Sequence, residues 1–319
     1  MLKPCLAATM FLAGLAVNGT GAVYAQDYPS KPIRIIASPP GGANNFIARL
    51  LAQGIGESFG WQVVVDNRPS GFVQGELLSK SAPDGYTTLV AAGSFTIGPL
   101  LEKAPYDVVK DFSPVTLVAT SPSLLVVHPS LPIKSVKDLI ALAKAKPGEL
   151  NFSTSGTGSA NHLPAELFKA LAGVNIVRIN YKGAGPALIG LLSGEVHLMF
   201  ATASSAAPHV QSGRLRAVAV TSAQPSALLP GMPTVAASLP GYEFVSPFGI
   251  FAPARTPPAI ITRLNQAIVK VIHQPDIKQK FLDTGTDVIG NTPEQYAAVI
   301  KSELTTWGKV IKQAGIRVD

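Results

Sequence analysis

Two glycine-rich stretches carry the residues best suited to holding a ligand. The first, Pro39-Pro40-Gly41-Gly42-Ala43-Asn44-Asn45, lies between the strand-like Ile33-Arg34-Ile35-Ile36-Ala37 and the helix-like Phe46-Ile47-Ala48-Arg49-Leu50-Leu51. Paired glycines let a backbone approach a ligand closely, Asn44 or Asn45 can cap the helix, and a helix start offers free N–H donors with partial positive charge. Taken alone, the stretch is either an anion-holding loop or an ordinary strand-to-helix turn, because glycine and asparagine are common turn residues. The second, Thr154-Ser155-Gly156-Thr157-Gly158-Ser159-Ala160-Asn161, follows the short strand Asn151-Phe152-Ser153 and feeds a helix from His162 to about Ala172. Asn44 to Leu51 matches Asn161 to Phe168 in polar start, alanine and paired apolar positions, which is too little to define a repeat. If both loops face one cleft, an anion is gripped from two sides. Hydrogen bonds to a charged group contribute roughly 1.5–3 kcal/mol each, and a helix terminus about 0.3–1 kcal/mol. About four or five such bonds leave room for the roughly 8 kcal/mol of a micromolar affinity after ordering costs. The hydroxyls of Thr154, Ser155, Thr157 and Ser159 either add donors or serve local turn and cap bonds.

Other chemistries fit less well. Gly156-Thr157-Gly158-Ser159-Ala160-Asn161 begins like a dinucleotide fingerprint but lacks its third glycine, and Val177-Arg178-Ile179-Asn180 offers no acidic ribose partner. No Gly-x-Ser-x-Gly elbow and no phosphate-binding Gly-x-x-x-x-Gly-Lys loop occurs. The histidines His128, His162, His197, His209 and His273 are scattered without metal-ligand spacing, and only His162 adjoins a candidate loop. Nothing suggests a nucleophile, base and orienter set.

The surrounding elements must position both loops. Lys3, an apolar run from Leu6 to Val17 and the exit Val23-Tyr24-Ala25 read as a secretory signal peptide, residues 1–25, cut after about Ala25. The run is too short for a membrane span, which needs roughly 20 residues. Cys5, the one cysteine, lies inside the signal, so the mature chain has no disulfide and no thiolate ligand or nucleophile. With 47% hydrophobic and 14% charged residues, a substantial core is expected rather than disorder. The net charge of +7 comes from scattered Lys and Arg. That distribution, with export, argues against nucleic acid and for attraction of a small anion or simple solubility.

Periodicity predicts strands at Ile33–Ala37, Val63–Asn67 and Thr87–Ala92 alternating with helices at about Asn45–Ser58 and Gly75–Ser81. Val115–Val127, punctuated by Pro114 and Pro122, reads as two apolar pieces and a domain crossing. A helix capped by Ser135 with Asp138 follows, then the strand and helix around the second loop. Strands at Val177–Ile179, Val196–Phe200 and Leu215–Thr221 alternate with helices at Pro186–Leu192 and about Pro208–Gln211. Phe244–Ala252 reads as the return crossing. Helices capped by Thr256 and Thr292 return to cover the first sheet, the latter carrying Trp307 in an apolar stripe. The fold class is therefore α/β, with two domains and a ligand cleft between them. Domain 1 spans 26–122 and 246–319, and domain 2 spans 123–245.

The chain resembles the Bug-type extracytoplasmic solute receptors, the substrate-binding components of tripartite tricarboxylate transporters. The resemblance rests on Pro40-Gly41-Gly42 with Ala48-Arg49; Asn67-Arg68-Pro69; Pro83-Asp84-Gly85-Tyr86-Thr87; Asp111-Phe112-Ser113-Pro114-Val115; and Thr154-Ser155-Gly156-Thr157-Gly158 with His162-Leu163. It continues through Tyr181-Lys182-Gly183, Arg214-Leu215-Arg216-Ala217, Pro233-Thr234-Val235, Leu239-Pro240-Gly241-Tyr242 and Ala314-Gly315-Ile316. It implies a type II periplasmic binding protein fold: two mostly parallel sheets flanked by helices, joined by two crossing strands, closing like a hinged clamp. It also implies a periplasmic location, a small carboxylate ligand, membrane transporter subunits as partners, and neither catalysis nor a cofactor or metal; the chain is read as a monomer. The expected ligand-binding set is Pro40, Gly41, Gly42, Asn44, Asn45, Ser94, Thr154, Ser155, Gly156, Thr157, Gly158, Ser159, Asn161, His162 and Thr202. Alternatives are a receptor that signals to a sensor partner, or an exported enzyme. Departures from the family pattern are Asn45, where family members usually carry aspartate, and Ser70-Gly71-Phe72-Val73-Gln74 in place of a glycine-rich run. Phe72 and Val73 either line the cleft or pack inside. A third departure is Gly190 at a usually acidic position.

Overall fold

The computed structural model describes residues 28–40, 42–69, 71–225, 231–314 and 316. The proposed signal peptide and Gly41 therefore lie outside the described residues. The first unit alternates β1 (Ile33–Ala37), α1 (Ala43–Phe59), β2 (Val63–Asn67), α2 (Phe72–Ser79), β3 (Thr87–Ala92) and the short α3 (Gly93–Ile97). A long strand, β4 (Phe112–Val127), leads to α4 (Val136–Ala145), β5 (Asn151–Thr154), α5 (Leu163–Ala172), β6 (Val177–Asn180) and α6 (Ala184–Leu192). Then come β7 (Leu198–Thr202), α7 (Ala203–Gln211) and β8 (Arg216–Val220). The return strand β9 (Val245–Pro253) precedes α8 (Pro258–Ile272), α9 (Pro275–Asp283), β10 (Asp287–Val288) and α10 (Pro293–Ala314).

The strand order is β2-β1-β3-β9-β4-β7-β5-β6, with β8 and β10 also pairing β4. β1 pairs parallel with β2 and β3, and β5 pairs parallel with β6 and β7, whereas β4 and β9 pair antiparallel with their neighbours. Each half is thus a parallel three-strand set completed by the crossing strands. β4 does not break into two pieces as its prolines suggested. It runs through, pairing with β9 from Phe112 to Pro122 and with β7 from Ser123 to Val127. Pro114 stands at a register irregularity and Pro122 at the change of partner, both places where a missing N–H interrupts no regular ladder.

Alternation along β4 sorts its apolar side chains to two faces. Leu125 and Val127 join Phe152, Phe168, Phe200 and Tyr242 on one side of the second unit, and Leu124 and Val126 join Leu188 and Met199 on the other. In the first unit, Ile35, Leu51, Ile268 and Phe281 share one cluster, and Ile36, Leu89, Phe95 and Phe251 share another. α10 serves both units. Tyr296 and Ile300 pack in the first unit's cluster, while Trp307, nearly buried and edge-on to Phe244 at 5.8 Å, packs in the second's. The last helix therefore does not simply return to the first sheet.

Several local expectations are corrected. α2 begins at Phe72 rather than Gly75, and β7 lies at Leu198–Thr202, two residues later than its apolar run suggested. α8 is preceded by Pro257 as N-cap, and Thr256 donates its hydroxyl to the Pro253 carbonyl at 2.7 Å instead of capping. α9 and β10 add to the expected elements. The capping of α4 and α10 matches expectation: Ser135 Oγ accepts from Asp138 N at 3.1 Å, and Thr292 and Gln295 bond reciprocally.

Candidate functional site

Parallel strands place their carboxyl ends on one side of a sheet, which is where open α/β sheets hold ligands. β1 leads into the first loop and α1, β3 into α3 with Ser94, β5 into the second loop, and β7 ends at Thr202, so the candidate groups lie on or just beyond the carboxyl ends of these strands.

The first loop is tied at its base. Asn67 Nδ2 donates to the Ser38 carbonyl at 2.6 Å, and Arg68 N donates to the Ala37 carbonyl at 2.9 Å. The N-cap of α1 is Gly42, with no side-chain cap bond, so neither Asn44 nor Asn45 caps the helix. Both fall inside the first turn, past the position from which a carboxamide reaches the orphan N–H groups. Asn45 is buried; its Oδ1 accepts from Arg49 Nε at 3.2 Å, and its Nδ2 has no partner among the described residues. The Arg49 bond fixes which end of the amide is the donor. Pro40 is exposed, and Gly42 and Asn44 are half-buried.

The second loop is bonded through its interior. Thr154 Oγ1 donates to Asn180 Oδ1 at 3.0 Å, Ser155 Oγ to Asn161 Oδ1 at 2.7 Å, and Asn161 Nδ2 to the Phe200 carbonyl at 2.9 Å. Gly156 at φ 132° and Gly158 at φ 70° supply left-handed backbone that a side chain would oppose. Ser159 Oγ is buried without a partner among the described residues. His162 is fully buried, with Nδ1 accepting from Gly158 N at 3.1 Å and Nε2 lying 3.0 Å from Arg178 Nη1. Burial, reinforced by the charges of Arg178 and Lys169, pulls its pKa down to about 3, so the ring is neutral at physiological pH. Thr202 Oγ1 donates to Ser205 Oγ at 2.9 Å.

The second loop meets the first unit at α3 and the glycine that follows it. A methyl group on Gly158 would stand 3.0 Å from Gly98 Cα and 3.6 Å from Ser94 Cα. Gly98 and Arg178 were missed by the sequence reading. One is an ordinary glycine after a short helix and the other an ordinary strand cation, and only their tertiary neighbours distinguish them. Phe72 packs edge-on to Tyr106 at 5.9 Å and beside Gly98, while Val73 is exposed. The space beside Gly190 is filled by the Tyr181 ring.

Two α/β units joined by crossing strands, with the second loop packed against α3 and Gly98 of the first unit, define the class of two-lobed solute-binding proteins. The tripartite tricarboxylate transporter family receptor profile, TctC, matches residues 47–316, and the chain belongs to that family. Protein BugT of Bordetella pertussis is 38% identical over 314 residues, covering 95% of this chain and 96% of BugT. An R. palustris protein solved with adipate superposes with a TM-score of 0.87 at 35% identity, over 91% of this chain and 99% of that one. MatC from Rhodopseudomonas palustris, solved with bound malate, gives 0.83 at 26% identity, over 89% and 100%.

Proposed function

We propose that this receptor captures a small carboxylate between the first loop and the second, and that its two units, residues 26–122 with 246–319 and residues 123–245, close on it about the crossing strands β4 and β9. The observation that carries this reading is a pair of buried polar groups without partners among the described residues, Asn45 Nδ2 in one loop and Ser159 Oγ in the other. A buried group left unsatisfied costs about 1–3 kcal/mol, and a carboxylate has enough lone pairs to answer both. The ligand-binding set is Pro40, Gly41, Gly42, Asn44, Asn45, Ser94, Thr154 to Ser159, Asn161, His162 and Thr202, some acting through the shape of the loop. Relatives solved with adipate and malate support the dicarboxylate class. Asn45 brings no negative charge, so an ammonium group gains nothing there and amino acids are disfavoured. Export with cleavage after about Ala25, delivery as a monomer to membrane transporter subunits, and the absence of turnover complete the reading.

The test is a thermal-shift screen on ligand-stripped protein with adipate, malate and glutamate. A ligand at a hundred times its Kd stabilises by about 2.7 kcal/mol. Adipate or malate is expected to raise the Tm more than glutamate does. If no carboxylate moves it and another chemical class does, the reading fails.

A further inference from the structure

The two units touch backbone to backbone. At Gly158, φ is 70°, and a methyl group there would lie 3.0 Å from Gly98 Cα and 3.3 Å from Gly98 N. These are main-chain atoms, which cannot swing aside as a flexible side-chain end does, so a side chain at 158 would push the two backbones apart by a few tenths of an ångström, besides being strained at this positive φ. The second observation concerns what holds Gly158 in place. Its N–H points at His162 Nδ1, 3.1 Å away, while Arg178 Nη1 approaches the other ring nitrogen at 3.0 Å. A neutral imidazole has one acceptor nitrogen, and a guanidinium does not give up its protons. Gly158 and Arg178 therefore compete for a single lone pair. If Nδ1 accepts from Gly158, the ring proton sits on Nε2, on the side of Glu166 Oε1 at 3.9 Å.

We propose that His162 is a positioning residue: by accepting the Gly158 N–H it holds the left-handed turn that seats Gly158 against Gly98, and this glycine seat is the surface on which the two units close. The inference deepens the proposed clamp and rests on it. It also removes one donor from the ligand's reach, because the Gly158 N–H is committed to the ring. The Ser155 hydroxyl is likewise committed, to Asn161, so the loop's remaining side-chain ligand donors are Thr157 and Ser159.

The test exploits the two ring positions. Asparagine at 162 places an oxygen near the site of Nδ1, and glutamine places one near that of Nε2. Cysteines introduced at the exposed Glu57 and Lys137, one in each unit, carry spin labels for pulsed distance measurements, with and without adipate. His162→Asn is expected to keep the wild-type distance distribution and the exchange protection of the Gly158 amide. His162→Gln and Gly158→Ala are expected to lose at least about fivefold of the closed population and to weaken adipate binding about tenfold. Wild-type distances in Gly158→Ala, or equal behaviour of the Asn and Gln variants, overturn the proposal. Nitrogen-15 NMR of the unaltered protein provides a check that needs no variant: Nδ1 is expected to be unprotonated, and a proton there refutes the assignment. Failure of the carboxylate reading shows instead as a wild type indifferent to adipate and malate, while the ligand-free distances still judge the seat.

Discussion

The two strand-to-helix loops have similar sequence layouts but differ in how far their polar groups are satisfied. In the second loop, Thr154 donates to Asn180 on β6, Ser155 to Asn161, Asn161 to the Phe200 carbonyl on β7, and His162 accepts from Gly158. Only the Ser159 hydroxyl is buried there without a partner among the described residues, so the loop's shape is largely set before a ligand arrives. In the first, Gly42 stands at the cap without a side-chain bond, and Asn45 leaves its amide donor unpartnered among the described residues. One loop is a prepared wall and the other an open hand. The lesson is that resemblance in residue type says where donors are available, while satisfaction of those donors decides which loop selects the ligand.

The largest expected effect tests the wall. An unfolded histidine titrates near 6.5, and burial holds folded His162 down to about 3. The unfolded chain therefore takes up the proton first as pH falls. The stabilisation is fully present above about pH 6.5 and is lost progressively toward pH 3, by up to about 5 kcal/mol. Urea melts of His162→Asn between pH 3 and 8 are expected to show a flatter acid limb, and an unchanged limb contradicts the burial argument.

Glu303 on α10 provides the opposite limb, outside both loops. Its Oε2 is enclosed without a partner among the described residues, and burial raises its pKa from 4.5 to about 7. Its stabilisation is present below about pH 4.5 and is lost as pH rises through 7, on the order of 2–3 kcal/mol. Glu303→Gln is expected to be more stable than the wild type at pH 8 and nearly equal at pH 4 in the same melts.

Asn161→Ala removes both bonds of its carboxamide and is expected to cost about 2 kcal/mol, whereas Asn45→Ala is expected to cost under about 1 kcal/mol. Equal costs would break the contrast between the loops. The smallest effect on stability, and the most informative for selectivity, is Asn45→Asp. A negative charge beside the cleft is expected to improve glutamate binding relative to adipate by about tenfold, roughly 1.4 kcal/mol. Calorimetry with both ligands decides it.

Much of this organisation was legible in local patterns. Short apolar runs marked β1, β2, β3 and β9, and helical spacing with serine or threonine caps marked α4 and α10. Other features depended on partners distant in the chain. Pro122 looked like a break, yet β4 continues because two different strands supply its ladder on either side. β10 is two residues long and exists only by pairing with Ala119 and Thr120.

The amino-acid sequence by itself determined the α/β alternation, the two glycine-rich loops at strand ends and the family to which the receptor belongs. Those follow from local periodicity, backbone permissiveness and ordered motifs, none of which needs a distant neighbour. Only the tertiary structure decided that Asn45 presents a donor with no partner among the described residues, that His162 is buried and accepts from Gly158, and that α10 joins both units. Each of these turns on which groups share a lone pair or a dry interface, and that competition arises only when remote segments of the chain are brought into contact.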